Sequence, residues 1–277
     1  MNIFEDKIAI VTGAASGIGK ALIEELAARG AKVMATDIND EMLQMTVSGI
    51  SGSKHPVRGF KLDVTVYESF KKIIDDTAAE EGRLDYLFNN AGIAIAGEIR
   101  DHSIEHWHKV LDVNLNGTIY GAVEAYKLMG RQGFGHIVNL SSMEGMTAFA
   151  GTASYVTSKF AVMGLSQSMW VEGTDLGVKV SVVCPGVIRT PIFDNAQYVN
   201  TDKQEIMKSL DAYSKFSMSP EECARKILKG VAKNKLIIPV TSLVWVLWWL
   251  VRISPKFVLN LTRMDFKKIR DKARIAP

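Results

Sequence analysis

Tyr155 and Lys159 stand four residues apart in the run Ser154-Tyr155-Val156-Thr157-Ser158-Lys159. A phenol and an ammonium at that spacing share one face of a helix and can point into one site. A free tyrosine, with a pKa of about 10, is a poor base at neutral pH. An adjacent cation favours the phenolate and moves the phenol toward the range of a working general acid/base. The spacing alone also fits a half-buried tyrosine beside a solvated lysine.

A second chemistry is written near the start, in Thr12-Gly13-Ala14-Ala15-Ser16-Gly17-Ile18-Gly19. Glycines between a strand and a helix allow a tight turn and let the backbone approach a pyrophosphate, which the helix N-terminus attracts. Asp37 follows at the end of the next apolar run. A carboxylate there accepts hydrogen bonds from an adenosine ribose and repels a 2′-phosphate. No Arg or Lys follows Asp37 directly or sits inside the glycine turn, so NAD is favoured over NADP. Asp37 also reads as a helix N-cap, with Asn39 its rival for that job.

These residues need elements to hold them. Lys7–Gly13, Lys32–Asp37, Leu84–Gly92, Gly135–Ser142 and Lys179–Gly186 read as buried strands; Val57–Asp63 is a weaker one and Lys235–Val240 a seventh. Helical patterns lie between them, over Gly17–Arg29, Tyr67–Glu81, Ile104–Met129 and Thr152–Leu176. The alternation predicts an α/β fold, a parallel sheet with helices on both faces. Ser219 reads as an N-cap, with Pro220 at the first helical position and Glu222 closing a capping box.

Taken together, TGAASGIG at 12–19, Asp63-Val64, NNAG at 89–92, Asn114, Ser142, YVTSK at 155–159 and PGVIRTP at 185–191 resemble the short-chain dehydrogenase/reductase family. The resemblance spans about residues 5–240 and implies a Rossmann-type, doubly wound sheet of seven parallel strands. It also implies roles. Tyr155 would be the general acid/base, Ser142 would hydrogen-bond the substrate oxygen, and Lys159 would bind the nicotinamide ribose and lower the tyrosine pKa, helped by the oxidised nicotinamide. Asn114 would hold a water linking Lys159 to solvent. The family spacing selects Ser142 over Ser141. Gly13, Ser16, Gly17, Ile18 and Gly19 would cradle the dinucleotide, with Asp37 on its ribose. Asp63 and Val64 would flank the adenine, Asn90, Ala91 and Gly92 would follow the ribose, and Pro185, Ile188 and Thr190 would meet the carboxamide. Hydride would pass directly between substrate and nicotinamide, without a metal.

The resemblance makes residues 1–240 the catalytic domain, with a variable substrate loop at 191–218, and 241–277 a helical extension. Phe193, Tyr198, Met207, Leu210, Tyr213 and Phe216 read as an apolar lid or as routine packing. Glu144 reads equally as substrate-facing or as solvated. His102, His106 and His108 form a helical cluster that lacks a completing carboxylate or cysteine, so surface histidines are the simpler account.

The leading expectation is an NAD-dependent oxidoreductase that interconverts a secondary alcohol and a ketone on a lipophilic substrate of steroid, retinoid or fatty-alcohol type. A 3-oxoacyl thioester reductase is the runner-up, opposed by Asp37 and by LIIPV running on into SLVWV. A non-catalytic nucleotide sensor that docks a membrane or partner is the alternative of another class. The expected location is the cytoplasm: Cys184 and Cys223 form no CxxC pair, and Met1–Lys7 leads straight into a strand. A homo-oligomer is expected, a dimer before a tetramer.

Net charge is +3, but residues 252–277 hold eight bases and two acids, leaving the remainder at −3. Nucleic-acid stacking lacks an aromatic platform beyond Phe266. In Ser242–Ser254 (SLVWVLWWLVRIS) the uncharged run is too short to span a bilayer, which needs about 20 residues. Trp245, Trp248 and Trp249 share a helix side, which fits either a membrane-interface patch or a lid.

Overall fold

The computed structural model describes residues 2–211, 215 and 217–275. Seven strands form one parallel sheet: β1 (Ile8–Thr12), β2 (Lys32–Asp37), β3 (Arg58–Lys61), β4 (Tyr86–Asn89), β6 (Gly135–Leu140), β7 (Val178–Cys184) and β9 (Ile237–Pro239). Their order is β3-β2-β1-β4-β6-β7-β9, so the chain starts in the middle and winds outward in both directions. The crevice where winding reverses, between β1 and β4, is where such sheets bind ligands, at their carboxyl ends.

Alternation along β1 explains why both faces are covered. Ala9 and Val11 pack on one side with Leu22, Ile23 and Leu26 of α1 (Gly17–Ala28) and with Ile227 and Val231 of α8 (Pro220–Ala232). Ile8 and Ile10 pack on the other, with Phe70 and Ile74 of α3 (Tyr67–Glu81) and Ala122 and Met129 of α5 (Gly117–Gln132). All five residues of β1 are buried, as expected of a central parallel strand.

Several elements differ from the sequence expectation. The helix predicted over Ile104–Met129 is α4 (Ile104–Leu111) and α5, joined by a π-helical turn at Asp112–Asn116. Ser219 does cap α8, accepting from the Glu222 N–H at 3.2 Å. The Glu222 carboxylate, however, turns to Lys226 Nζ at 3.0 Å instead of reaching back to the cap. Asn39 caps α2 (Asp40–Ser48) by accepting from the Met42 N–H.

Beyond the sheet, β5 (Ile95–Ala96) pairs with β8 (Gln197–Tyr198) and ties the segment after β4 to the loop that leads into α7 (Lys203–Asp211). The extension is α9 (Ser242–Ile253) and α10 (Pro255–Ala273), bent at Ser254. Its far end is clasped to the domain. Arg270 Nε and Arg274 Nη1 donate to Glu98 Oε1 at 2.9 and 3.2 Å. The Ile275 N–H donates to the Asn200 carbonyl and the Asp202 N–H to that of Ala273.

Candidate active site

The glycine turn is built around contacts that forbid side chains. Gly13 has φ +66°, a left-handed conformation in which a Cβ would lie 2.9 Å from the Ala91 backbone. Gly19 lies behind the turn in α1, where a Cβ would sit 2.0 Å from the Gly13 carbonyl oxygen. Thr12, which the sequence reading did not single out, organises the opposite lip. Its hydroxyl accepts from the Asn90 and Ala91 N–H groups, each at 3.0 Å. The Asn90 amide returns to the carbonyls of Thr12 and Gly13. The signal for Thr12 was its place as the last residue of the first apolar run, directly before the glycines.

Asp37 closes this end. Its carboxylate accepts from the Ala15 N–H and the Asn39 N–H, both at 3.0 Å, which fixes it beside the turn. Asp63 is held in the same way by Thr65. Gly13, Ser16, Gly17 and Ile18 line one cavity with Asp37, Asp63 and Val64. So do Asn90, Ala91 and Gly92 on one wall and Pro185, Ile188 and Thr190 on another. The open backbone at the turn, the helix N-terminus and the fixed carboxylate fit a dinucleotide.

At the other end stand Ser142, Tyr155 and Lys159, which line the same cavity. Ser142 follows β6, and α6 (Ala153–Gly173) presents Tyr155 and Lys159 one turn apart. Lys159 is 4% exposed; its Nζ donates to the Leu140 carbonyl at 2.9 Å and lies 5.4 Å from the Tyr155 ring centre. The Ser141 hydroxyl is consumed by the Lys159 carbonyl at 2.8 Å, whereas Ser142 Oγ accepts from the Glu144 N–H at 3.1 Å and stays in the cavity wall with Tyr155. Asn114 sits buried in the π turn, behind the cavity wall, an irregularity often found at functional sites. Its amide group pairs with both backbone groups of Ile93 and donates to Ser158 Oγ.

The electrostatics of the protein alone run opposite to the tuning expected from Lys159. Burial pushes the Tyr155 phenol well above its ordinary range, the Glu144 charge adds to this, and the nearby Ser142 hydroxyl opposes it. Burial also lowers Lys159 to about 8. Glu144 is half-buried, lines the cavity and accepts from Thr152 Oγ1 at 2.6 Å. Burial raises it to about 7, against the Thr152 bond and the field of Lys159.

A carboxyl raised above its unfolded value contributes stability at low pH that is lost as pH climbs through the folded value. Glu144→Gln is therefore expected to change the melting temperature little at pH 5. At pH 8 it should stabilise the fold by up to about 3 kcal/mol. It should also move the alkaline limb of the pH–rate profile to lower pH, because Tyr155 loses a neighbouring negative charge. Equal melting shifts at both pH values would contradict this account of Glu144.

The cavity has a volume of about 1240 Å³, more than the roughly 300–1,000 Å³ of a single small-ligand pocket. Its remaining wall carries a cluster of apolar side chains, Phe149, Ile192, Phe193 and Met207 from the domain, Leu243 and Leu247 from α9, and Phe266 and Ile269 from α10, with charged and polar residues such as Glu98, Asp194, Asp265 and Arg270 among them. Of the residues read as a lid, Tyr198 bonds the Phe193 carbonyl. Tyr213, Phe216 and the Leu210 side chain lie outside the described residues. His106 is used in capping α4, accepting from the Ser103 N–H.

The sequence profile of the short chain dehydrogenase family matches residues 7–200. The chain belongs to that family. It is 34% identical over 220 residues to a D-threitol dehydrogenase of Mycolicibacterium smegmatis, covering 79% of this chain and 84% of that one. It is 34% identical over 235 residues to an uncharacterized oxidoreductase of Staphylococcus aureus, covering 85% and 95%. Among solved structures, a short chain dehydrogenase/reductase from Burkholderia phymatum in complex with NAD aligns with a TM-score of 0.83 at 24% identity, over 92% of this chain and 95% of that one. That likeness is one of fold. The chain is thus an oxidoreductase of the short-chain dehydrogenase type, with the seven-stranded parallel sheet of that family and a helical C-terminal end.

Proposed function

We propose that this oxidoreductase uses NAD to interconvert a secondary alcohol and a ketone on a lipophilic small molecule of steroid, retinoid or fatty-alcohol type. The observation that carries the reading is one cavity with the Ser142–Tyr155–Lys159 set at one end, the glycine turn and Asp37 at the other, and the apolar cluster of Phe149, Phe193, Met207, Leu243, Leu247 and Phe266 in its wall. NAD, bound in the protein of the same fold from Burkholderia phymatum, supplies the hydride acceptor. Residues 1–240 carry the chemistry and 241–277 shape the substrate end. The enzyme works as a cytoplasmic homo-oligomer, a dimer before a tetramer, with its extension against a membrane surface.

In the oxidative direction Tyr155 takes the hydroxyl proton of the alcohol, and Ser142 Oγ holds the same oxygen by a hydrogen bond. Lys159 orients the nicotinamide ribose, and its positive charge favours the phenolate. Asn114 holds the water through which Lys159 exchanges protons with solvent. Asp37 accepts the hydroxyls of the adenosine ribose and leaves no cation to neutralise a 2′-phosphate, which favours NAD. Oxidised nicotinamide, when bound, would add its charge to that of Lys159 against the burial that raises Tyr155 in the protein alone.

The test is a panel of secondary alcohols of graded chain length, offered with NAD or NADP and followed by nicotinamide absorbance. Rates should climb with chain length, and NAD should be preferred by roughly 10-fold or more in kcat/KM. The Mycolicibacterium smegmatis relative is named for a polyol. Turnover confined to small polar alcohols would sink the lipophilic reading and leave the reaction type standing.

A further inference from the structure

The two helices of the extension carry unlike faces. Leu243, Leu247, Phe266 and Ile269 look into the cavity, while Val244 and Val258, 0% and 1% exposed, anchor the pair on the domain. Away from the cavity the pair exposes large apolar side chains to water. Trp245 is 42% exposed, Trp249 54%, Ile253 78%, Phe257 53% and Met264 59%. The Trp245 and Trp249 rings stack with centres 6.1 Å apart and form one plate. Large apolar side chains exposed in such number on one helix pair mark an interaction site.

What covers it follows from charge. On α10, Phe257, Leu261 and Met264 fall at i, i+4 and i+7, one stripe of the helix. Beside it run Lys256, Arg263 and Lys267, at i, i+7 and i+11, all exposed. Arg252 lies with its guanidinium 4.2 Å from the Trp248 ring centre. A second copy seated on this face in a two-fold contact would set one cationic segment against another. An anionic bilayer instead offers phosphates to the cations and acyl chains to the tryptophans and phenylalanine. No described helix is long and apolar enough to cross a membrane, so the pair would lie in the interface. Leu261 joins the two faces, 48% exposed and also part of the cavity wall.

We infer that α9 and α10 seat on an anionic lipid bilayer and form the portal through which a bilayer-dissolved substrate passes Leu261 into the cavity. The docking stands on the surface alone; the portal rests on the lipophilic-substrate reading.

The test uses the full chain and a Trp245→Glu/Trp249→Glu variant, whose replaced residues lie outside the cavity wall. Both are floated with vesicles of phosphatidylcholine, pure or with about a third phosphatidylglycerol. The wild type should float with the anionic vesicles on the order of 10-fold more than with neutral ones, with tryptophan emission shifted to the blue. The variant should stay at the bottom while keeping its circular dichroism and NAD binding. Rates are then compared for hexadecan-2-ol held in anionic vesicles and octan-2-ol dissolved in buffer. The variant should lose roughly 10-fold on the first and nothing on the second. Wild type that ignores anionic vesicles, or a variant that only dissociates an oligomer, overturns the docking. A variant that fails to float yet oxidises vesicle-held alcohol at the wild-type rate overturns the portal. Flotation without turnover of either alcohol upholds the docking and counts against the catalytic reading.

Discussion

Replacing Tyr155 with Phe is expected to cut turnover by a factor of about 10² to 10⁴ while NAD affinity stays within about 2-fold. The substitution keeps the half-buried ring and removes only the hydroxyl. Lys159 is not held by that hydroxyl; its Nζ donates to the Leu140 carbonyl, so the ribose-binding end keeps its geometry. The Ser142 hydroxyl still accepts from the Glu144 N–H at 3.1 Å. The loss should therefore fall on kcat rather than on the dissociation constant, a split read by single-turnover absorbance and by titration of NAD. Undiminished turnover in the phenylalanine variant would mean that another group moves the proton.

Gly19→Ala should act on the opposite end of the cavity and mainly through the fold. Alanine in place of an exposed helical glycine ordinarily stabilises by about 0.5–1 kcal/mol. At Gly19 the added methyl would lie 2.0 Å from the Gly13 carbonyl oxygen and 2.5 Å from Asn90 Nδ2. The first obstacle is backbone, so the turn itself must move. The expected cost is about 3 kcal/mol, with NAD affinity reduced by at least about 10-fold, because the displaced turn is the surface that meets the pyrophosphate. Gly164→Ala supplies the control: it is helical and exposed, with nothing within 4 Å of its added Cβ. Urea titration of both variants should show shifts of opposite sign. A stabilised Gly19→Ala protein would mean that the turn is not close-packed.

The sequence was most legible where periodicity and burial agree. The run IAIVT could only be a covered strand, and YESFKKIIDDTAAEE became α3 with the bounds its pattern predicts. The residues named for the cofactor and the proton came together in one cavity, with two set just behind its wall: Gly19, whose bare Cα is what the turn needs, and Asn114. What escaped were features with no local signature. A single π turn at Asp112–Asn116 leaves the apolar period of Ile104–Met129 nearly intact. Two-residue strands such as β5 and β8 are too short for alternation to show. The contact of Glu98 with Arg270 spans 172 positions, and nothing near either residue announces it. The identity of the cap on α2 was open between Asp37 and Asn39 until the Ala15 and Asn39 amides were seen to occupy the carboxylate.

The clasp between Arg270, Arg274 and Glu98 also sets an order of construction. The glycine turn, Asp37 and the Asn90 lip all lie within the first 92 positions, and the sheet grows outward from β1 as synthesis proceeds. Tyr155 and Lys159 follow, and α9 and α10 come after every strand of the sheet. A nascent chain therefore builds its nucleotide floor first and holds an unroofed greasy chamber until residue 274 can reach Glu98. During that interval Phe149, Phe193 and Met207 lack the cover of α9 and α10, which leaves this late stage of biosynthesis open to aggregation.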